Sequence, residues 1–195
     1  MKFNAGISGT RSAVLKDLKD LSKLLGQYEL APWLHREVDL ISRNHDVTLE
    51  NQMYARLEHG QFFSIYEEPI MAFAVKEYTE QDRKVGGVRF NDKTFMFHTH
   101  EGQVTLLSNN EPAGSVNIEQ GVRIEKDGNE VFIDAESTTG LIPLSVNEEH
   151  ALSIASEDEF VGVSGRMLHQ LKDMDEKESE LVLISVAFAL ANKQI

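Results

Sequence analysis

The stretch Leu181-Val-Leu-Ile-Ser-Val-Ala-Phe-Ala-Leu-Ala191 is an almost unbroken apolar run, with Glu178 and Glu180 before it and Lys193 after it. Crossing a bilayer takes roughly 20 apolar residues, so a run this short predicts burial on every side within a folded core. Two conformations compete for it. Val182, Ile184 and Val186 are β-branched at alternate positions, as in a fully buried strand. The alanine-rich second half favours a helix, as do the acids ahead and the lysine behind, which complement a helix macrodipole. The spacing therefore predicts a buried apolar C-terminal helix with the rest of the chain wrapped around it.

Working back from that run, Met167, Leu171 and Met174 suggest a short helix carrying His169. Before it the pattern is that of strands. Phe62-Phe-Ser-Ile-Tyr66 and Ile70-Met-Ala-Phe-Ala-Val75 are separated by Pro69, which breaks any continuous ladder. Further short apolar or alternating runs lie at 87–90, 94–97, 104–107, 121–125, 131–134, 141–144, 152–154 and 160–163. The turns between them have suitable chemistry. Asp127-Gly128 fits a tight hairpin, Asn91-Asp92 and Asn109-Asn110 tolerate positive φ, and Thr138-Thr-Gly140 offers another reversal. Many short strands without crossover-length gaps predict a largely antiparallel sheet or barrel.

The first third of the chain reads as helical. Val14, Leu18, Leu21 and Leu25 line one face, Ser8, Thr10 or Ser12 can cap the start, and Gly26 suits a left-handed stop. A second helix is expected from Pro32 with Leu34, Val38 and Ile41 in line, and a third from Thr48 with Leu49, Met53 and Leu57 before Gly60. Trp33 reads as a packing anchor between these helices and the rest. The expected fold class is α+β, with a helical segment over residues 1–50 and an antiparallel β-rich domain over 51–195.

Composition narrows the functions. Of the 195 residues 41% are apolar, enough for a substantial core. The chain has no cysteine and no secretory signal pattern, so a reducing cytoplasm is the expected compartment. Against 19 bases stand 32 acids, a net charge of −13 that repels nucleic-acid phosphates and anionic lipid headgroups. A protein partner is expected, nucleic acid and membrane are disfavoured, and homo-oligomerisation stays open. One alternative is an acidic inhibitor that imitates nucleic acid to occupy a basic partner.

The strand series ending at Phe160-Val-Gly-Val163, together with the terminal run from Glu180 to Leu190, resembles the tubby-like superfamily, which includes the phospholipid scramblases and the LURP-one-related proteins. The resemblance covers roughly residues 52–195. It implies a closed antiparallel barrel of about a dozen strands around a hydrophobic C-terminal helix, with no universal catalytic residues. Membrane-binding members of that family use basic residues for phosphoinositides. Here Lys76, Arg83, Lys84, Arg89 and Lys93 form a modest cationic cluster, expected to be a solvated sheet edge that discourages strand addition.

A competing reading is an enzyme. His98-Thr-His100, followed after seven residues by Ser108 and then by Glu111, resembles the zinc signature of the JAMM metalloproteases. Two imidazoles and a carboxylate would hold zinc and leave a position for water, with Glu58 a candidate base. Glu111 stands where that family has aspartate, and Glu101 where it has proline. A cupin reading of the same histidines with Pro112-Ala-Gly114 fails on spacing, since Asn117 occupies the second motif's histidine position. Gly86-Gly87 and Gly162-Val-Ser-Gly165 lack the lysine of a phosphate loop, and Ser164 has no nucleophile-elbow flank. No catalytic or cofactor-binding residue is assigned and no cofactor is expected, zinc on His98, His100 and Glu111 belonging to the alternative alone. The expected role is a non-catalytic cytosolic binding, scaffold or assembly module.

Overall fold

A computed structural model describes residues 8–79, 83–100, 103–108, 111–118, 121–134, 141–155 and 166–191. Helix α1 (Ser8–Leu25) leads through a 3-10 turn (His35–Leu40) into twelve strands: β1 (Ile41–Gln52), β2 (Ala55–Ser64), β3 (Pro69–Tyr78), β4 (Arg83–Phe90), β5 (Lys93–His100), β6 (Gln103–Ser108), β7 (Glu111–Asn117), β8 (Val122–Lys126), β9 (Asn129–Ile133), β10 (Leu141–Val146), β11 (Glu149–Ala155) and β12 (Leu168–Gln170). Helix α2 (Glu176–Ala191) follows. The strands lie in chain order, each antiparallel to the next. A bridge between Ser42 and Arg166, and a bond from Met167 N–H to the Ile41 carbonyl at 2.8 Å, bring the two ends of the sheet together into a nearly closed barrel.

The tight turns follow from local chemistry. Asp127 and Gly128 both take positive φ between β8 and β9, and Asn91 does so between β4 and β5. Strand alternation then sorts side chains onto two faces. Phe95 and Phe97 of β5 join one large apolar cluster with Phe73, Val88, Leu144 and the α2 residues Leu181–Leu183, Ile184, Val186 and Phe188. Met96, pointing the other way, joins a second cluster with Leu18, Leu21 and Leu25 of α1 and with Leu57, Ala72, Ala74 and Val85. Residues 181–189 of α2 are all buried, Ser185 among them by donating its hydroxyl to the Leu181 carbonyl at 2.7 Å. The helix starts with a capping box: Glu178 N–H donates to Asp175 Oδ1 at 2.9 Å, and Asp175 N–H donates to Glu178 Oε2 at 3.0 Å.

Adjacent glycines serve the two faces. A Cβ on Gly86 would sit 2.3 Å from the Phe97 ring, and one on Gly87 would sit 2.4 Å from Met96 Sδ and 3.0 Å from Leu25 Cδ1. One glycine makes room for an inner phenylalanine and the next for α1.

Several expectations are corrected. Residues 41–64 form a hairpin: the expected helix from Thr48 is absent because Leu49 and Met53 do not form a buried face with Leu57, and the β1–β2 ladder takes their backbone groups. The helix expected from Pro32 shrinks to the 3-10 turn and Ile41 opens β1. Met167 and Leu171 belong to no helix; His169 is in β12, paired with Ser153. Asn109-Asn110 and residues 138–140 and 160–163 lie outside the described residues, and Pro112-Ala-Gly114 is part of β7. Gly26 does not take positive φ. The helix end is instead closed by the N–H groups of Gln27 and Tyr28, which donate to the Leu24 and Leu25 carbonyls at 3.0 and 3.4 Å, while the guanidinium of Arg89 donates to the Leu25 and Tyr28 carbonyls at 3.1 and 2.9 Å.

Candidate functional site

The outer face of β3–β5 under α1 concentrates the ionisable groups that the sheet buries. Asp17 is 6% exposed, the one acid among the described residues to be so buried. It follows from the helical phase: Asp17 precedes Leu18 and shares the sheet-facing side of α1. Lys76 Nζ donates to its Oδ1 at 2.8 Å, the Tyr78 hydroxyl donates to Oδ2, and Arg83 lies 3.8 Å from Oδ2. The Arg83 guanidinium stacks 3.7 Å from the centre of the Tyr78 ring. Burial would depress the Lys76 ammonium, but its bonds to Asp17 and Tyr78 outweigh that and hold its pKa above the ordinary value.

His98 and His100 continue the same outer face. Their rings are 6.0 Å apart and 20° from parallel. His98 opposes Val85 and His100 opposes Arg83. Burial, then His100 and Arg83, push the His98 pKa below its ordinary value, so the neutral ring is favoured. Its Nε2 is buried without a hydrogen-bond partner. Glu111 is not brought beside this pair by the register. Ser108 pairs with both Phe95 and Glu111, so the Glu111 backbone is two strands from β5 and level with Phe95, whereas His98 and His100 are level with Thr105 and Gln103. That offset is about 10 Å across the strands and at least as much along them. Glu58 is ion-paired with Arg56 at 3.3 Å and opposes Val75 on the other face from Met96. Among the described residues no group of three metal-ligating side chains converges.

The five bases expected to form a solvated edge lie inside the sheet and are engaged. Lys76, Arg83 and Arg89 meet α1 and its C-terminal turn, Lys84 pairs with Glu77 at 3.2 Å, and Lys93 binds Glu180. Glu180 also accepts from Lys126 at 2.7 Å, so β5 and β8 are both tied to the first turns of α2. An open basin of about 550 Å³ beside the β8–β9 turn is lined by Gly114, Glu125, Lys126, Asp127 and Glu130, and its Glu130 is paired with Arg123.

A separate feature is the β1–β2 hairpin. Val47 and Leu49, two apart on one face of β1, are exposed, as are Met53 and Tyr54 in its turn; Leu49 reaches 54% and Met53 84%. Asp46 and Glu50 are exposed on the opposite face of β1, where Glu50 lies 3.5 Å from His59 Nε2. Trp33, by contrast, is in the large cluster, held by Asn91, whose side chain accepts from Trp33 N–H at 3.1 Å and donates to its carbonyl at 3.0 Å. Among the described residues no helix is long and apolar enough to cross a membrane.

No protein-family model, no curated protein and no solved structure matches the chain.

Proposed function

We propose that the chain is a non-catalytic, cytoplasmic protein-binding module of tubby-like architecture, its barrel closed about α2 and its recognition carried by the β1–β2 hairpin. The observation that carries this reading is the grouping of Val47, Leu49, Met53 and Tyr54, all exposed, on one hairpin. Contiguous exposed apolar side chains on a soluble protein mark interaction surfaces. The twelve-stranded antiparallel order supports the tubby-like architecture, and the cysteine-free chain suits a reducing compartment. Arg83 beside the imidazoles disfavours a bound cation there, so the zinc hydrolase stays the lesser reading.

The test compares partner capture from cytoplasmic extract by the wild type and by Val47→Asp/Leu49→Asp/Met53→Asp. The expected result is one saturable partner lost in the variant at unchanged melting temperature. A partner retained by the variant removes the hairpin from the proposal. Stoichiometric zinc that disappears in His98→Ala/His100→Ala would replace the binding module with the hydrolase.

A further inference from the structure

The face beneath α1 has the form of a receptor trough. Its floor is small and apolar, made of Ala72, Ala74, Val85 and Met96, with Gly87 admitting Leu25. Its ends are basic: Lys76 and Arg83 take a carboxylate at one end, and Arg89 takes helix carbonyls at the other. A helix lying here is therefore read in one direction, by a carboxylate near its middle, three leucines that follow it and its C-terminal carbonyls. α1 satisfies this with Asp17, Leu18, Leu21 and Leu25, while Lys16, Lys19 and Lys23 face solvent. Its leucines belong to a cluster separate from the large one around α2. Isolated helices of this length are marginal in water, so α1 keeps its form through this contact, and such a peripheral unit opens locally without global unfolding.

The geometry points to α1 as a displaceable internal ligand, and to the trough as a docking site for a partner's amphipathic helix in which an acidic residue immediately precedes leucines at the spacing of Leu18, Leu21 and Leu25. This rests on the reading of the chain as a protein-binding module and adds a second surface to it. The partner competes with α1, which masks the trough. With the open form populated at about 1%, a minor state of ordinary size, an outside helix binds the wild type about 100-fold more weakly than it binds the uncovered trough.

The probe is a fluorescein-labelled peptide with the sequence of residues 8–25, titrated by anisotropy into the full chain. Asp17→Lys in the chain removes the buried carboxylate while leaving Lys76, Arg83 and Arg89 in place. The expected result is saturable peptide binding to this variant, up to about 100-fold tighter than to the wild type, with hydrogen exchange showing α1 unprotected and the strands protected. A peptide carrying its own Asp17→Lys should lose that binding. Should the variant chain fail to fold, Leu18→Ser/Leu21→Ser lifts α1 without a charge change and is read the same way. The proposal is overturned by peptide that does not bind once α1 is released, by binding indifferent to the peptide's aspartate, or by α1 that stays protected in both chain variants. Binding of the released form to phosphatidylserine vesicles but not to peptide would assign the trough to a lipid surface instead. None of these outcomes touches the hairpin test above, so the two readings fail separately.

Discussion

The apolar cluster around α2 and the one beneath α1 rest on opposite faces of the same strands, and they are built differently. The first is assembled from every part of the barrel, with Phe97 meeting Phe188 edge-on at 5.1 Å and Phe90 stacked on Phe95 at 5.5 Å. Its charged groups stand at its margin, where Glu180 receives Lys93 and Lys126. The second draws its buried residues from α1 and β2–β5, with Tyr28, Leu30 and Leu107 packed at its edge, and carries a buried carboxylate, an arginine and a half-buried histidine along its border. Apolar burial is non-directional and couples every element that shares it, whereas a buried ion cluster sets orientation and adds little net stability. One sheet thus supports a cooperative core on one side and an orientation-reading contact on the other.

Truncating each cluster is the strongest way to break that comparison. Phe188→Ala is expected to cost about 3–5 kcal/mol, lowering the urea midpoint of the whole protein. Leu21→Ala should cost about 2–3 kcal/mol at its own site, read as faster hydrogen exchange in α1, with the barrel's urea midpoint nearly unchanged. Equal global losses from both would show a single cooperative unit.

A smaller effect is expected at the α2 margin. Burial disfavours the Glu180 carboxylate, but its bonds to Lys126 and Lys93 outweigh this and hold its pKa below the ordinary 4.5. Its stabilisation is therefore present above 4.5 and lost as pH falls through the lowered value. Glu180→Gln should flatten the acid limb of an unfolding profile followed by Trp33 fluorescence; an unaltered limb would mean that the two lysines contribute nothing to holding α2.

The smallest effect belongs to the outer face. His98 has its pKa lowered from 6.5 by burial, His100 and Arg83, so the unfolded or released form takes its proton first. Stability of the α1 contact should fall as pH drops below 6.5, by less than about tenfold in exchange rate down to pH 5.5, and His98→Gln should remove that dependence. Identical pH profiles for wild type and variant would place His98 outside the contact.

Legibility in the sequence followed how local each cause was. Asp127-Gly128 and Asn91 declared their turns, the leucines of α1 declared its buried face, and strands β3 to β6 and β8 to β11 were visible as short apolar or alternating runs. The apolar run from Leu181 gave a helix, as its alanines and flanking acids suggested. The β1–β2 hairpin was hidden because Leu49, Met53 and Leu57 fall at helical spacing by coincidence, and only pairing with β3 settles that segment as sheet. β7 was hidden by Pro112 and Gly114, residues that ordinarily signal a turn. Of the candidate sites, the nearness of His98 and His100 could be read from their spacing on a strand, but the position of Glu111 depends on the register of β6. The cluster around Asp17 joins residues about 60 positions apart, and nothing in their spacing announces it.

α2 comes after all twelve strands in the chain. On the ribosome, all twelve strands are made before the α2 side chains that share a cluster with Phe95, Phe97 and Leu144. Until then a nascent sheet carries an uncovered apolar lining, the kind of surface that chaperones hold and that aggregates when left alone. The order of synthesis makes the arrival of α2 the clock for the whole barrel.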